Sequence, residues 1–139
     1  MKKLALDIGT VRIGIASSDP LNIIASPYCV YKRKNLAEDV KFVANLSKEL
    51  DADEIVIGKP YKLDGSSGQS VKMVEEFAEA LTPLVNAKIV FQDERFSTVS
   101  AQRMLIEGNV RRAKRKDLID AVSATIILQN YLDKPKSNV

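Results

Sequence analysis

The chain has no histidine and a single cysteine, Cys29. The first absence removes histidine-based acid–base catalysis, Ser-His-Asp triads and His-ligated zinc. Any catalysis must rest on carboxylates, Lys, Tyr, Ser/Thr, Cys or a bound metal. One cysteine excludes an internal disulfide. Cys29 lies in the apolar run Tyr28-Cys29-Val30-Tyr31 and reads as a small buried hydrophobe; if exposed, it could only cross-link to another chain. No apolar stretch approaches the roughly 20 residues that a membrane span needs. Met1-Lys2-Lys3 runs straight into strand-like sequence, without the apolar region and cleavage site of a secretory signal, so a cytoplasmic location is expected. There is no internal repeat, low-complexity tract or linker.

What is present fits one globular domain over residues 1–139, with a polar, frayed tail over 133–139. Hydrophobic residues make up 45% of the chain, enough for a packed core. The net charge of +3 is mild, but its distribution is uneven. Arg111, Arg112, Lys114, Arg115 and Lys116 surround one alanine, and Lys32-Arg33-Lys34 forms a second cluster. Such clusters suit a phosphate backbone, although a charge run is more often a solvated loop.

Continuous apolar residues over 3–8 read as a buried strand, and the alternation over 12–18 reads as a second. Gly9-Thr10 between them predicts an antiparallel hairpin. After a turn at Asp19-Pro20 and Asn22, residues 24–32 form a third strand. Asn35 caps a helix over 36–50, with Leu36, Val40, Val43, Leu46 and Leu50 at helical spacing. A short strand over 55–57 leads to a polar, glycine-rich loop over 59–68. A helix over 69–82, a strand over 88–92, a short helix from Ser97 or Thr98 to Gly108 and a basic loop follow. The last helix spans about 117–132, with Ile119, Val122, Ile126 and Ile127 on its core side. The order predicts an α/β fold: a mixed five-stranded sheet, a three-strand antiparallel meander plus two parallel strands, flanked by helices.

Three carboxylates occupy related places. Asp7 ends the first strand, Glu94 follows the run Ile89-Val90-Phe91, and Asp120 opens the last amphipathic helix. Sites in parallel sheets form at the C-terminal ends of strands. Clustered acids repel one another, a cost that a divalent cation removes. Mg²⁺ or Mn²⁺ takes oxygen ligands, and two such ions about 4 Å apart supply the activated water and charge neutralisation that phosphodiester cleavage needs. Asp120 shares a helix stripe with Lys116 and Ala124. Asp117, three residues before it, reads as an N-cap or a further ligand. Asp93 and Glu94 point to opposite sides of a strand, so one of them faces the cleft. Arg95 pairs with the other or contacts a phosphate.

Taken together, Asp7-Ile8-Gly9-Thr10 with Arg12-Ile13-Gly14-Ile15-Ala16 and Ser18-Asp19, Ile57-Gly58-Lys59-Pro60 with Asp64-Gly65-Ser66, Asp93-Glu94-Arg95-Phe96-Ser97-Thr98, and Lys116-Asp117-Leu118-Ile119-Asp120-Ala121 with Ile127-Leu128 resemble the YqgF/RuvX family. That family is described both as Holliday-junction resolvases and as nucleases that trim the precursor of small-subunit ribosomal RNA. The resemblance spans nearly the whole chain. It implies an RNase H-like fold and places the family's three acids on Asp7, Glu94 and Asp120. It implies an endonuclease using Mg²⁺ or Mn²⁺ on structured RNA or a four-way DNA junction. Arg12, Lys59, Arg95 and the cations from Arg111 to Lys116 are the expected phosphate contacts. Lys59 departs from the family, which more often has an apolar residue there. Resolvases of the same fold use four acids, and a fourth here would be Asp117 or Asp19. Junction resolution requires a symmetric homodimer, whereas RNA trimming suits a monomer. Two other readings compete. Asp-Ile-Gly-Thr also resembles the first phosphate loop of actin-like ATPases, which need a second such domain. A non-catalytic RNA-binding module with a vestigial site is the other.

Overall fold

The computed structural model describes residues 2–59, 69–93 and 112–133, of which 69, 70, 93 and 112–120 are described by their backbone alone. β1 (Lys2–Ile8), β2 (Arg12–Ser18) and β3 (Ala25–Lys32) form the meander. α1 (Leu36–Glu49), β4 (Ala52–Lys59), α2 (Gln69–Leu81), a 3₁₀ turn (Thr82–Leu84), β5 (Lys88–Asp93) and α3 (Arg112–Asp133) follow. The sheet order is β3-β2-β1-β4-β5, antiparallel within the meander and parallel for β1–β4 and β4–β5. This is the mixed sheet that the sequence predicts. The short helix expected after Ser97 or Thr98 and the loop over 60–68 lie outside the described residues.

Strand parity divides the core into two layers. Leu4, Leu6, Ile8, Ile13, Ile15, Ile55 and Ile57 face α1 and α2, which contribute Val40, Val43, Leu46, Val74, Phe77 and Leu81. Ala5, Ala16 and Val56 face α3, which contributes Ala124, Ile127 and Leu128. The small alanines on this second face let α3 lie close to the sheet. Every residue from 121 to 128 is buried, so this stretch of α3 is enclosed on all sides rather than on the single face that its periodicity suggested.

Two boundaries differ from the sequence reading by three residues or more. β4 begins at Ala52, three residues earlier than its apolar run. Its polar start is held laterally: Lys3 on β1 ion-pairs with Glu54 and with Asp53 at 3.5 Å, and the Tyr131 hydroxyl donates to Glu54 Oε2 at 2.7 Å. α3 begins at Arg112, so Arg112, Lys114, Arg115 and Lys116 are helical rather than in a loop. Arg, Lys and Ala are strong helix formers, and nothing between 112 and 117 breaks the helix. Asp117 is therefore an interior helical position and not an N-cap.

Among the described residues, no helix is long and apolar enough to cross a membrane.

Candidate functional site

The C-terminal ends of β1, β4 and β5 share one edge of the sheet, since Leu6 registers with Ile57, and Gly58 and Lys59 with Gln92 and Asp93. β2 begins and β3 ends there, with Arg12 opposite Lys32. α1 and α2 follow β3 and β4, so both start at this edge.

Asp7 is the penultimate residue of β1, opposite Gly14 on β2. By parity it lies on the α3 face, two residues beyond Ala5. α3 runs antiparallel to β1: its C-terminal end meets the start of β4 through Tyr131 and Glu54. Position 120 lies one turn before Ala124, on the same stripe and toward the site edge. A helical turn rises about 5.4 Å. Two strand residues rise about 6.6 Å. The backbone therefore advances by matching amounts from Ala5 to Asp7 and from Ala124 to Asp120. β5 ends at Asp93, so the chain leaves the sheet toward Glu94 at this same edge. Glu94, Arg95 and Arg111 lie outside the described residues.

The turn after Asp7 is fixed from two sides. The Gly9 N–H donates to the Arg12 carbonyl at 2.8 Å, and a Cβ at Gly9 would stand 2.9 Å from that oxygen, so only glycine closes the turn without a shift. From below, Arg33 reaches the same loop. Its backbone N–H donates to the Val11 carbonyl at 2.8 Å, and its Nη1 donates to the Gly9 carbonyl at 3.0 Å. Arg33 Nε donates to Asp39 Oδ2 at 2.8 Å, and Asp39 is wholly buried. Burial alone would raise the Asp39 carboxyl. The Lys34 backbone N–H, the Arg33 guanidinium and the Tyr31 hydroxyl outweigh it and hold the group below its ordinary value. Arg33 is thus not a phosphate-binding member of the Lys32-Arg33-Lys34 cluster. It is an internal anchor for the Asp7 turn, and its spacing of 24 residues from Gly9 left no local sequence signal.

The structure separates Lys59 from Asp7. Lys59 shares parity with Ile57 and lies on the α2 face, its Nζ 3.4 Å from Glu75 Oε2 and 4.2 Å from the Phe91 ring centroid. Arg12 opens β2 at the site edge and is exposed. Asp19 sits at the opposite end, where β2 leaves the sheet. Its carboxylate accepts from the Ile23 and Ile24 N–H groups at 2.7 and 2.9 Å, so it belongs to a turn and not to the site.

Gln92 was not singled out by the sequence. It is 8% exposed, and its Oε1 is buried with no hydrogen-bond partner among the described residues. It shares the α3 face with Asp7, separated by Gly58. The oxygen donors here, with no histidine or nearby cysteine, match Mg²⁺ or Mn²⁺ rather than zinc. Among the described residues no three carboxylates form a complete metal cluster. Asp7 and Gln92 are the oxygen-bearing residues that the described strands place in one row on this face.

The mixed sheet, with an acid at the end of its central strand and a helix laid across that face, defines an RNase H-like nuclease fold. Solved structures share it. The fowlpox virus Holliday junction resolvase matches with a TM-score of 0.61 at 14% identity, over 96% of this chain and 99% of that one. T. thermophilus RuvC in complex with a Holliday junction substrate matches with a TM-score of 0.56 at 14% identity, over 96% of each. The family model described as "RuvX: Holliday junction resolvase" matches residues 1–134, and the chain belongs to that family of nucleases. Relatives named "Putative pre-16S rRNA nuclease" include one from Caldanaerobacter subterraneus subsp. tengcongensis, 41% identical over 99% of this chain and 100% of its own length. Another, from Halalkalibacterium halodurans, is 45% identical over 96% of this chain and 97% of its own length.

Proposed function

We propose that this chain is a metal-dependent endonuclease that processes the 5′ end of pre-16S rRNA in the cytoplasm, with residues 1–139 acting as one nuclease domain. The observation that carries this reading is the placement of Asp7 on the central strand's α3 face, level with position 120 one turn before Ala124. The name borne by relatives above 40% identity supports the RNA substrate.

Asp7, Glu94 and Asp120 would hold one or two Mg²⁺ or Mn²⁺ ions, with Asp117 as a further candidate. Bound there, the metal supplies an activated water and neutralises charge that develops on the phosphate. Asp7 is oriented by its strand and by the Gly9 turn that Arg33 anchors. Arg12 on that turn, Arg95 after β5, and Arg111, Arg112, Lys114, Arg115 and Lys116 leading into α3 bind the substrate's phosphates. α1 and α2 also begin at this edge, so their N-terminal dipoles favour the same anionic backbone. Lys59 contributes indirectly, through Glu75 on α2.

The second reading is resolution of four-way DNA junctions, favoured by the description of the matching family model. It requires a homodimer with two sites. Labelled precursor rRNA and a labelled four-way junction, offered side by side with Mg²⁺ or Mn²⁺ and then with a chelator, separate the two. Chelator-sensitive cleavage of the RNA alone is expected. Symmetric nicking of the junction would establish the second reading, and binding without metal-dependent cleavage of either would overturn both.

A further inference from the structure

A buried acceptor without a donor is costly, and native proteins carry few of them. Gln92 Oε1 is such an atom among the described residues. Its strand position gives it a use. Gly58 registers with Gln92, and Leu6 with Ile57, so Asp7, Gly58 and Gln92 form one row across β1, β4 and β5. Adjacent strands lie about 4.8 Å apart, which puts the Asp7 and Gln92 backbones about 10 Å from each other. The residue between them is glycine, so β4 itself places no side chain between Asp7 and Gln92 on the α3 face. Two oxygen-bearing residues flank that glycine, one charged and one neutral.

The chemistry narrows the occupant. An amide oxygen is satisfied by a hydrogen-bond donor or by a hard cation, and about 10 Å of backbone separation favours contact through a donor over a shared direct ligand. A hard divalent cation held by few carboxylates keeps several of its waters, and those waters are donors. We propose that Gln92 is a positioning residue of the nuclease site: its amide oxygen accepts a hydrogen bond from a water on the cation that Asp7 holds. This rests on the metal-dependent reading above. It explains why β5 follows Ile89, Val90 and Phe91 with an amide, one residue before its end, whose oxygen is shut away from solvent.

The test uses the full chain and Mn²⁺ alone, read by calorimetry and by the paramagnetic resonance of the bound ion, beside thermal unfolding without metal. Gln92→Met keeps the length of the side chain and removes the acceptor. It is expected to weaken Mn²⁺ binding about tenfold, as loss of outer-shell partners does. The metal-free protein should melt at the same or a higher temperature, because the orphaned acceptor is gone. Gln92→Glu keeps an oxygen in place and is expected to bind Mn²⁺ at least as tightly as wild type. Unchanged affinity in Gln92→Met overturns the proposal, as does equal weakening in both variants, which would mark Gln92 as packing alone. Asp7→Asn separates this failure from that of the parent reading. Loss of Mn²⁺ binding in Asp7→Asn with full binding in Gln92→Met removes only the role of Gln92. No saturable Mn²⁺ binding by the wild type removes the metal site and the proposal with it.

Discussion

At the scale of single residues, the buried pair of Arg33 and Asp39 does more for the site than its distance from Asp7 suggests. Its partners are the two carbonyls of the Asp7 turn, the Phe77 ring 5.7 Å from the guanidinium, and the Lys34 backbone N–H, which donates to Asp39 Oδ1 ahead of α1. Removing one member leaves the other charge buried and unpaired. Asp39→Ala is therefore expected to cost about 3–5 kcal/mol, measured by urea unfolding. Arg33→Lys keeps the charge but loses the fork that spans Asp39 and Gly9. It is expected to lower the cleavage rate more than it lowers stability. The sign of the pH effect is fixed by the depressed Asp39 carboxyl. Its stabilisation is complete above the ordinary carboxylate range and is lost as pH falls through and below it. None of this was legible locally. Arg33 sits among cations that read as a phosphate patch, and only long-range packing shows that its head group turns inward. Asp7 was legible because an acid closing an apolar run before a glycine turn has a local signature. Gln92 has none, since a polar residue near a strand end is ordinary until its partners are known.

At the scale of elements, patterning was informative where one face alone decides burial. The hairpin, the meander and α1 with its Asn35 cap follow from alternation, turn residues and a side-chain oxygen that accepts from the Glu38 N–H at 2.9 Å. Asn35→Ala is expected to lose about 1 kcal/mol of stability in thermal unfolding, as cap removal generally does. Patterning was weaker where lateral contacts or charge decide. The first residues of β4 are polar and become strand through Lys3 and Tyr131, which no periodicity encodes. The basic run before Asp117 suggested a loop, yet its residues are good helix formers and extend α3. The Lys3–Glu54–Tyr131 link ties β1, β4 and the far end of α3 and should govern alkaline stability. Burial and then the Glu54 carboxylate push the Tyr131 hydroxyl up to about 12. Burial opposes the charge on Lys3, but Glu54 and Asp53 together raise it. Groups raised in this way stabilise fully below their ordinary values and lose that contribution as pH rises through the folded ones. Melting temperature is expected to fall between pH 10 and about 12. In Tyr131→Phe that fall should be shallower, with a cost near neutrality of about 1–2 kcal/mol.

At the scale of the molecule, one sheet edge gathers the ends of the parallel strands, the starts of the flanking helices and the basic run that opens α3. The opposite edge carries the structural link of Lys3, Glu54 and Tyr131. Stability and chemistry are thus separated along the strands, so Asp7 can be changed without touching either core layer. Asp7 is also half-buried, so Asp7→Asn should fold as well as the wild type. The measurement that bears most directly on the central claim is cleavage of precursor rRNA by wild type and by Asp7→Asn, with Mn²⁺ or Mg²⁺ saturating and with matched melting temperatures. Metal-dependent cleavage by the wild type, falling by a factor on the order of 1,000 or more in the variant, is expected. Full activity in a folded Asp7→Asn protein would contradict it.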